Sequence, residues 1–331
     1  MKTIQLPNSD LVVSRLCFGC WGITSDFHWG DRNRDQSVAA LHAALDSGIN
    51  FFDTAAIYGD GESEKLVGEV LASKRDQVVI ASKVLPDKMK PDEILHCCDE
   101  SLERLGTDYI DLYQTHWTGR DTSPADSWDS MLKLKQQGKV RHVGVCNAGV
   151  GDLGEFCPVE PPVTNQLPYS LLWRAIEYDI LPFCGDNNIG ILVYSPLMHG
   201  MLAGKYKSVA DVPDGRARSR HFSSQRPHIR HGEAGCEGET FDALGAIADV
   251  CRRLERTMVD VALAWCLQQP GISCVIAGAS SHEQVAQNVY SFDNPLPEDA
   301  LSELNEATGP LKQALGPNPD MWEGAEKSRF R

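Results

Sequence analysis

Eight short apolar segments alternate with helical patterns along this chain of 331 residues, and this alternation restricts its fold more than any other feature. The apolar segments occupy 16–20, 49–52, 78–82, 109–115, 140–146, 162–165, 190–194 and 273–277. Helical patterns occupy 35–46, 64–71, 92–105, 127–136, 173–183, 241–253, 259–268 and 298–306. Strands that alternate with helices form parallel sheets. Eight of them favour a closed (β/α)8 TIM barrel over an open doubly wound sheet, which usually has about five or six strands.

The chain is predicted to form a single domain over residues 1–331, because barrels of this class commonly take about 250 residues and tolerate insertions. A turn at 7–10 predicts an N-terminal hairpin before the first barrel strand. Residues 213–239 carry five arginines and little apolar periodicity, which predicts a long loop after strand seven. Its place in the chain predicts that this loop lies over the mouth of the barrel.

Composition excludes several classes of partner. Hydrophobic residues make up 42% and charged residues 23% of the chain, which is ordinary globular composition without a membrane span or a secretory signal. A net charge of -15 argues against nucleic-acid binding, which depends on clustered Lys and Arg. Eleven irregularly spaced cysteines fit reduced thiols. We therefore expect a cytoplasmic protein without nucleic-acid or membrane partners, and its oligomeric state stays open.

Four polar residues stand near strand ends in the first third of the chain. Asp53, Lys83 and His116 close the second, third and fourth strands, and Tyr58 follows Asp53 closely. The carboxyl ends of barrel strands converge on one mouth. There, Lys83 would stabilise a Tyr58 phenolate and lower its pKa, Asp53 would keep Lys83 charged, and a neutral His116 could bind a carbonyl oxygen. The pattern predicts proton transfer to a carbonyl compound, although buried ion pairs and packed aromatic residues are also common as structural features.

Other kinds of site are less consistent with the sequence. Asp53 and His116 could bind a metal in a barrel hydrolase, but no second histidine has ligand spacing, so no metal is predicted. The segment 59–64 has Glu64 where a dinucleotide fingerprint needs its third glycine, and it follows a loop. Cys17 and Cys20 form the one Cys-x-x-Cys, which without a second pair is interpreted as two buried hydrophobic residues.

Nearly the whole chain resembles the aldo-keto reductases. The most specific motif is FDTAAIYG at 52–59, followed by GESEKLVG at 61–68. Further motifs are ASK at 81–83, DYIDLYQTHW at 108–117, GKVRHVGVCN at 138–147, QLPYS at 166–170, YSPLMHGMLAGKY at 194–206 and GASSHEQVAQN at 278–288. The resemblance implies NAD(P)H-dependent reduction of an aldehyde or ketone on a (β/α)8 barrel. It also implies a catalytic tetrad of Asp53, Tyr58, Lys83 and His116, with Tyr58 as the acid.

The resemblance also implies where the cofactor and substrate bind. Asn147 and Gln166 would contact the nicotinamide carboxamide, and Tyr194 would stack on the ring. The complete implied cofactor set is Gly19, Cys20, Trp21, Asp53, Asn147, Gln166, Tyr194, Ser195, Leu197, Gly200, Lys205, Gly278, Ser280, Gln284 and Asn288. The implied substrate contacts are Trp21, Tyr58, His116 and Trp117.

Two departures from the family pattern concern the cofactor. Cys146 replaces a serine that usually helps to hold the carboxamide. The segment 280–284 reads SSHEQ and lacks the Lys or Arg that usually holds the 2′-phosphate of NADPH. Its neutral donors make weaker bonds to phosphate than charged ones. NADP(H) is favoured and NAD(H) possible, and the arginines of the loop 213–239 could bind the phosphate or an anionic substrate.

The motif at 200–206 resembles bacterial long-chain members of the family that act on sugars, inositol-type polyols and small aldehydes. A sugar or sugar-derived carbonyl is therefore the expected substrate, with His28, Trp21 and the loop 213–239 providing polar contacts. The alternative function is a nucleotide-binding sensor with little turnover, because channel-associated β subunits resemble the same family. The sequence leaves the exact substrate and the physiological direction open.

Overall fold

The computed structural model describes residues 1–25, 31–119 and 122–331. An antiparallel hairpin of β1 (Thr3–Gln5) and β2 (Val12–Ser14) precedes a closed barrel of parallel strands. The barrel strands are β3 (Leu16–Gly19), β4 (Phe51–Asp53), β5 (Val79–Val84), β6 (Ile110–Thr115), β7 (Val140–Cys146), β8 (Thr164–Pro168), β9 (Gly190–Tyr194) and β10 (Ile272–Ala277). Because β10 pairs with β3, the ring is closed, and both the predicted barrel and the hairpin are confirmed.

Helices follow most of the barrel strands and surround the ring. They are α1 (Arg34–Asp46), α2 (Glu62–Leu71), α3 (Pro91–Leu105), α4 (Pro124–Gln136), α5 (Val150–Phe156), α6 (Ile180–Asp186), α7 (Glu237–Leu254), α8 (Met258–Gln268), α9 (His282–Asp293), α10 (Glu298–Ala307) and α11 (Gly309–Leu315). A proline in the first turn starts α3, α4 and α11, where its fixed φ suits a helix and its missing N–H costs nothing. Among the described residues, no helix is long and apolar enough to cross a membrane.

Two predicted elements are wrong, both in the middle of the chain. The sixth barrel strand is Thr164–Pro168 and not 162–165, because its backbone pairs with β9 as far as Pro168. The predicted helix 173–183 is a 3-10 turn, Ala175–Glu177, followed by the short α6. Trp173, Ile176 and Ile180 are buried there although the segment is irregular. Their spacing of three and four residues is the same as that of the buried face of a helix, which explains the wrong prediction. The helices α5, α9 and α11 were not predicted.

The inside of the barrel has an apolar lower layer and a polar upper layer. Alternate residues of a strand point to the same side of the sheet. Phe51 therefore lies below Asp53 on β4, and Ala81 lies below Lys83 on β5. The lower layer joins a buried cluster that includes hairpin residues Leu6, Leu11 and Val13, which close the bottom of the barrel. Asp53, Lys83 and Gln166 thus lie in the upper layer, toward the carboxyl ends of their strands.

The arginine-bearing loop ends three residues earlier than predicted, since α7 begins at Glu237. The buried Arg220 donates from Nε to both carboxylate oxygens of Glu233, at 3.0 and 2.8 Å. It also donates to the carbonyl oxygens of Leu315 and Asn318, at 2.8 and 3.0 Å. Arg226 donates to the backbone carbonyls of Val212 and Val209, at 2.9 and 2.7 Å. These two arginines brace the loop and the C-terminal segment, and the position of the loop over the mouth stays a prediction.

Candidate active site

The closed strand order distributes the predicted site residues around the whole mouth. Asp53 ends β4, Lys83 is the next-to-last residue of β5, and His116 directly follows β6. The sequence predicted that Lys83 closes its strand, but Lys83 lies inside the strand, one residue before its end. Asn147 follows β7 and Gln166 lies within β8, so the ring brings all of these polar groups to one end. The predicted catalytic residues occupy one arc, and the predicted nicotinamide residues occupy the next.

The four predicted catalytic residues form one connected cluster. The ammonium group of Lys83 is completely buried and donates to Asp53 Oδ2 at 2.7 Å, to the Thr54 carbonyl at 2.9 Å and to the Tyr58 hydroxyl at 3.3 Å. The ring of His116 meets the half-buried ring of Tyr58 edge to face, with centroids 6.0 Å apart. A phenol, its cationic neighbour and an imidazole thus lie next to one another.

Burial dominates the protonation of this cluster. It raises the pKa of Tyr58 to about 12, even though the Lys83 ammonium acts in the opposite direction. The net shift is opposite to the lowered pKa expected from Lys83, because removing the phenolate from water costs more than the ammonium returns. Burial and then repulsion from Lys83 lower the pKa of His116 to about 3. At neutral pH the tyrosine is therefore protonated and the histidine is neutral, with one ring N–H available as a donor.

The predicted nicotinamide residues contact one another and the catalytic cluster. Tyr194 donates from its hydroxyl to Asn147 Oδ1 at 2.8 Å, and Asn147 Nδ2 donates to the His116 carbonyl at 3.1 Å. Asn147 has a φ of 56°, a left-handed conformation that asparagine tolerates better than most residues. Gln166 Nε2 donates to Asp53 Oδ1 at 2.8 Å. Two side-chain amides and a half-buried aromatic face lie together, a donor set that fits a carboxamide-bearing ring.

The remaining predicted cofactor residues lie on the arc formed by β9, β10 and β3. Gly19 ends β3, and a Cβ there would lie 2.9 Å from Ile276 Cγ2, so a larger residue would force the Ile276 side chain to shift. Cys20 and Trp21 begin a 3-10 turn after β3; Ser195, Leu197, Gly200 and Lys205 follow β9; Gly278 and Ser280 follow β10; Gln284 and Asn288 lie on α9. Gln284 Oε1 accepts from the backbone N–H of Ser280 at 2.8 Å, and Asn288 Nδ2 donates to the Gly278 carbonyl at 3.3 Å.

Cys146, which stands where the family pattern has serine, is buried, and burial raises the pKa of its thiol above the ordinary range. It therefore stays a neutral thiol. Cys17 and Cys20 are also buried free thiols. Within 1–25, 31–119 and 122–331, no group of three or more His, Cys, Asp or Glu side chains could hold a metal ion.

Aromatic residues surround the cluster, and one side of this wall was not predicted. Trp21 stacks on Tyr58 with ring centroids 5.9 Å apart. Trp117 is covered by Arg329, whose guanidinium carbon lies 3.7 Å from the indole centroid, while Asp320 accepts two hydrogen bonds from Arg329 at 2.8 Å. Trp322 also meets Trp117 edge to face. His28, expected to contribute polar contacts here, lies outside the described residues.

Asp320, Trp322 and Arg329 were not predicted to lie at the site, because they follow the last βα unit and carry no periodic pattern. Isolated Trp and Arg residues near an end of a chain have no local signal that would place them at a barrel mouth. The hydrogen bond from Gln166 to Asp53 was not predicted either, because it joins strands 113 residues apart in sequence.

Comparisons with known proteins agree with this fold and geometry. A sequence model of the Aldo/keto reductase family matches residues 15–308. The chain is 32% identical to the NADH-specific methylglyoxal reductase of Escherichia coli, with 95% of this chain and 100% of that protein covered. It is 31% identical to the Aldo-keto reductase YhdN of Bacillus subtilis, with 86% of this chain and 87% of that protein covered.

Two solved structures extend the comparison to three dimensions. The glycerol dehydrogenase from Gluconobacter oxydans is 32% identical and superposes with a TM-score of 0.78, with 96% of this chain and 97% of that chain covered. An aldo-keto reductase from Klebsiella pneumoniae, solved in complex with NADPH, is 30% identical with a TM-score of 0.71, with 92% of this chain and 94% of that chain covered. The chain belongs to the aldo/keto reductase family and is an NAD(P)H-dependent oxidoreductase.

Proposed function

We propose that this protein reduces a sugar-derived aldehyde or ketone to the alcohol, with Tyr58 as the general acid. The observation that carries the proposal is the set of acceptors around Lys83. An ammonium group has three protons, and here they go to Asp53, the Thr54 carbonyl and the Tyr58 oxygen. Because the phenol oxygen accepts from Lys83, its own proton must point elsewhere. Tyr58 is half-buried, so its exposed side is available to a substrate.

Each residue of the site has its own role in the proposed reaction. When bound, the reduced nicotinamide supplies a hydride to the carbonyl carbon. Tyr58 gives its proton to the carbonyl oxygen as negative charge develops there, and Lys83 stabilises the phenolate that remains. Asp53 holds the ammonium group in place. Neutral His116 orients the carbonyl oxygen through a ring N–H, and Asn147, Gln166 and Tyr194 would hold the nicotinamide.

A small, oxygen-rich carbonyl compound suits the pocket. Trp21 and Trp117 offer flat apolar walls, and the Asp320–Arg329 pair brings polar atoms to the wall beside Trp117. Aromatic walls with a few convergent polar groups are typical of small-ligand sites. The similar proteins named methylglyoxal reductase and glycerol dehydrogenase support a short polar substrate as well. We therefore place sugar-derived aldehydes first and methylglyoxal second.

Both forms of the cofactor remain compatible with the chain. The segment 280–284 has no Lys or Arg to neutralise a 2′-phosphate, and its Gln284 accepts from Ser280, which orders the turn without adding charge. One similar protein is NADH-specific and another is solved with NADPH. We propose that NADP(H) is used and that its advantage over NAD(H) is modest, since neutral hydrogen bonds are about half as strong as charge-assisted ones.

The test measures binding and turnover separately. Tryptophan quenching gives the affinity for NADPH and NADH, because Trp21 lies beside the predicted site. Loss of nicotinamide absorbance is then followed with aldoses, oxidised sugars, methylglyoxal and simple aldehydes. Turnover that is fastest on a sugar-derived carbonyl supports the proposal, whereas turnover only on simple aldehydes refutes the substrate class. Tight nucleotide binding without turnover on any carbonyl would favour the sensor function instead.

A further inference from the structure

The carboxylate of Asp53 has a second partner besides Lys83. Its Oδ2 accepts from the Lys83 ammonium at 2.7 Å, and its Oδ1 accepts from Gln166 Nε2 at 2.8 Å. All three side chains are at most 4% exposed. The two oxygens of one buried carboxylate are thus divided between a cation on β5 and a neutral amide on β8, which lies across the barrel.

This division fixes the orientation of the carboxylate. A carboxylate with one partner can rotate about its bond to Cβ, and either oxygen can then face the lysine. With Gln166 holding Oδ1, only Oδ2 is presented to Lys83. Lys83 in turn makes its long contact of 3.3 Å to the Tyr58 oxygen. The placement of the ammonium group beside Tyr58 therefore depends on a donor that belongs neither to the lysine nor to the tyrosine.

The amide of Gln166 has enough hydrogen-bonding capacity for two tasks. A glutamine amide has two N–H donors and one carbonyl acceptor. One donor is used by Asp53, and the second donor and Oε1 remain for a carboxamide. Its backbone carbonyl also accepts from the Asn147 N–H at 3.0 Å, which ties β8 to the other nicotinamide residue. One side chain thus borders both the cofactor site and the proton-donating cluster.

We propose that Gln166 is a positioning residue for the proton donor, acting through Asp53 and Lys83 in addition to any contact with the nicotinamide. This inference rests on the proposed reductase function. It predicts that loss of the Gln166 donor slows the chemical step, and that this loss depends on Asp53 being a carboxylate. A residue that only oriented the nicotinamide would slow transfer by the same factor whether or not residue 53 is a carboxylate.

The test is a double-mutant cycle on hydride transfer at saturating cofactor and carbonyl substrate. Gln166→Met keeps the length of the side chain and removes the donor, and Asp53→Asn keeps the shape of its partner and removes the charge. Single-turnover rates are followed by nicotinamide absorbance. We expect Gln166→Met to slow transfer at least about tenfold in the otherwise native protein. In the Asp53→Asn background the same change should slow transfer less than about threefold.

Asn165→Leu is the matched control, since it removes a buried amide from the same strand. Asn165 is bonded to the backbone of Ala148 and has no contact with Asp53 or Lys83. This variant should lower the urea midpoint while its transfer rate stays within about threefold of wild type. If Asp53→Asn does not fold, Asp53→Ser takes its place in the cycle.

Two results would overturn the inference. One is a Gln166→Met variant whose nucleotide affinity falls while its transfer rate at saturation is that of wild type. The other is a cycle in which the two losses multiply. Absence of turnover in the wild-type protein would remove the proposed function and this inference together, which distinguishes that outcome from the first two.

Discussion

Replacing Tyr58 with phenylalanine should separate catalysis from binding and folding. The change removes one oxygen, the acceptor of a 3.3 Å hydrogen bond from Lys83, and keeps the ring that stacks on Trp21. Because Lys83 retains its shorter bonds to Asp53 and Thr54, the free energy of unfolding should fall by only about 1 kcal/mol. General acid catalysis contributes about 10²- to 10⁴-fold to a rate, which corresponds to about 3–5 kcal/mol of barrier.

The assay compares single-turnover reduction, nucleotide affinity and urea unfolding for wild type and Tyr58→Phe. We expect turnover to fall at least about 100-fold, with nucleotide affinity within about threefold. Turnover within tenfold of wild type would show that another group donates the proton. A loss of stability near 4 kcal/mol would show instead that the hydroxyl is mainly a structural partner of Lys83.

Three further predictions concern pH, the loop and the cofactor. Because the pKa of His116 falls from its usual 6.5 to about 3 on folding, its contribution to stability is complete above about pH 6.5 and is lost as the pH falls toward 3. Urea unfolding should therefore show wild type losing stability relative to His116→Gln over that range. Arg220→Met should cost about 1–3 kcal/mol in the same assay, because it leaves two carbonyls and the partly exposed Glu233 without this donor. Gln284→Arg should raise the ratio of NADPH to NADH efficiency about tenfold if the 2′-phosphate binds beside α9, and an unchanged ratio would place the phosphate elsewhere.

The barrel was predictable because each strand carries its own local signal. Short apolar runs such as 273–277 fall within strands, since both faces of a parallel strand are buried. The prediction failed for β8, whose buried residues include Asn165 and Gln166. Their polarity disguises a strand because their partners are on distant segments, Ala148 and Asp53. Burial of polar groups is compatible with a strand only when such partners exist, and one sequence does not reveal them.

In the candidate site, too, some features could be predicted from local sequence and others depend on distant segments. Residues at strand ends could be grouped, because parallel strands bring their ends together whatever the loops do. The protonation of the group could be predicted only in part. Lys83 does act to lower the pKa of Tyr58, but burial outweighs it. The degree of burial depends on surrounding segments, including Trp21 in the turn after β3, and no local pattern gives that quantity.

The buried Asp53–Lys83 pair is better explained by chemistry than by stability. Losing one partner of such a pair costs about 3–5 kcal/mol, whereas replacing both with apolar residues is often neutral. Asp53→Leu and Lys83→Met should each lower the urea midpoint strongly. The double variant should be more stable than either, although Gln166 and the Thr54 carbonyl lose partners in it. Additive losses would refute this electrostatic account. A double variant that folds well without turnover would show that the pair is kept for the phenol beside it, since apolar side chains would serve the fold equally well.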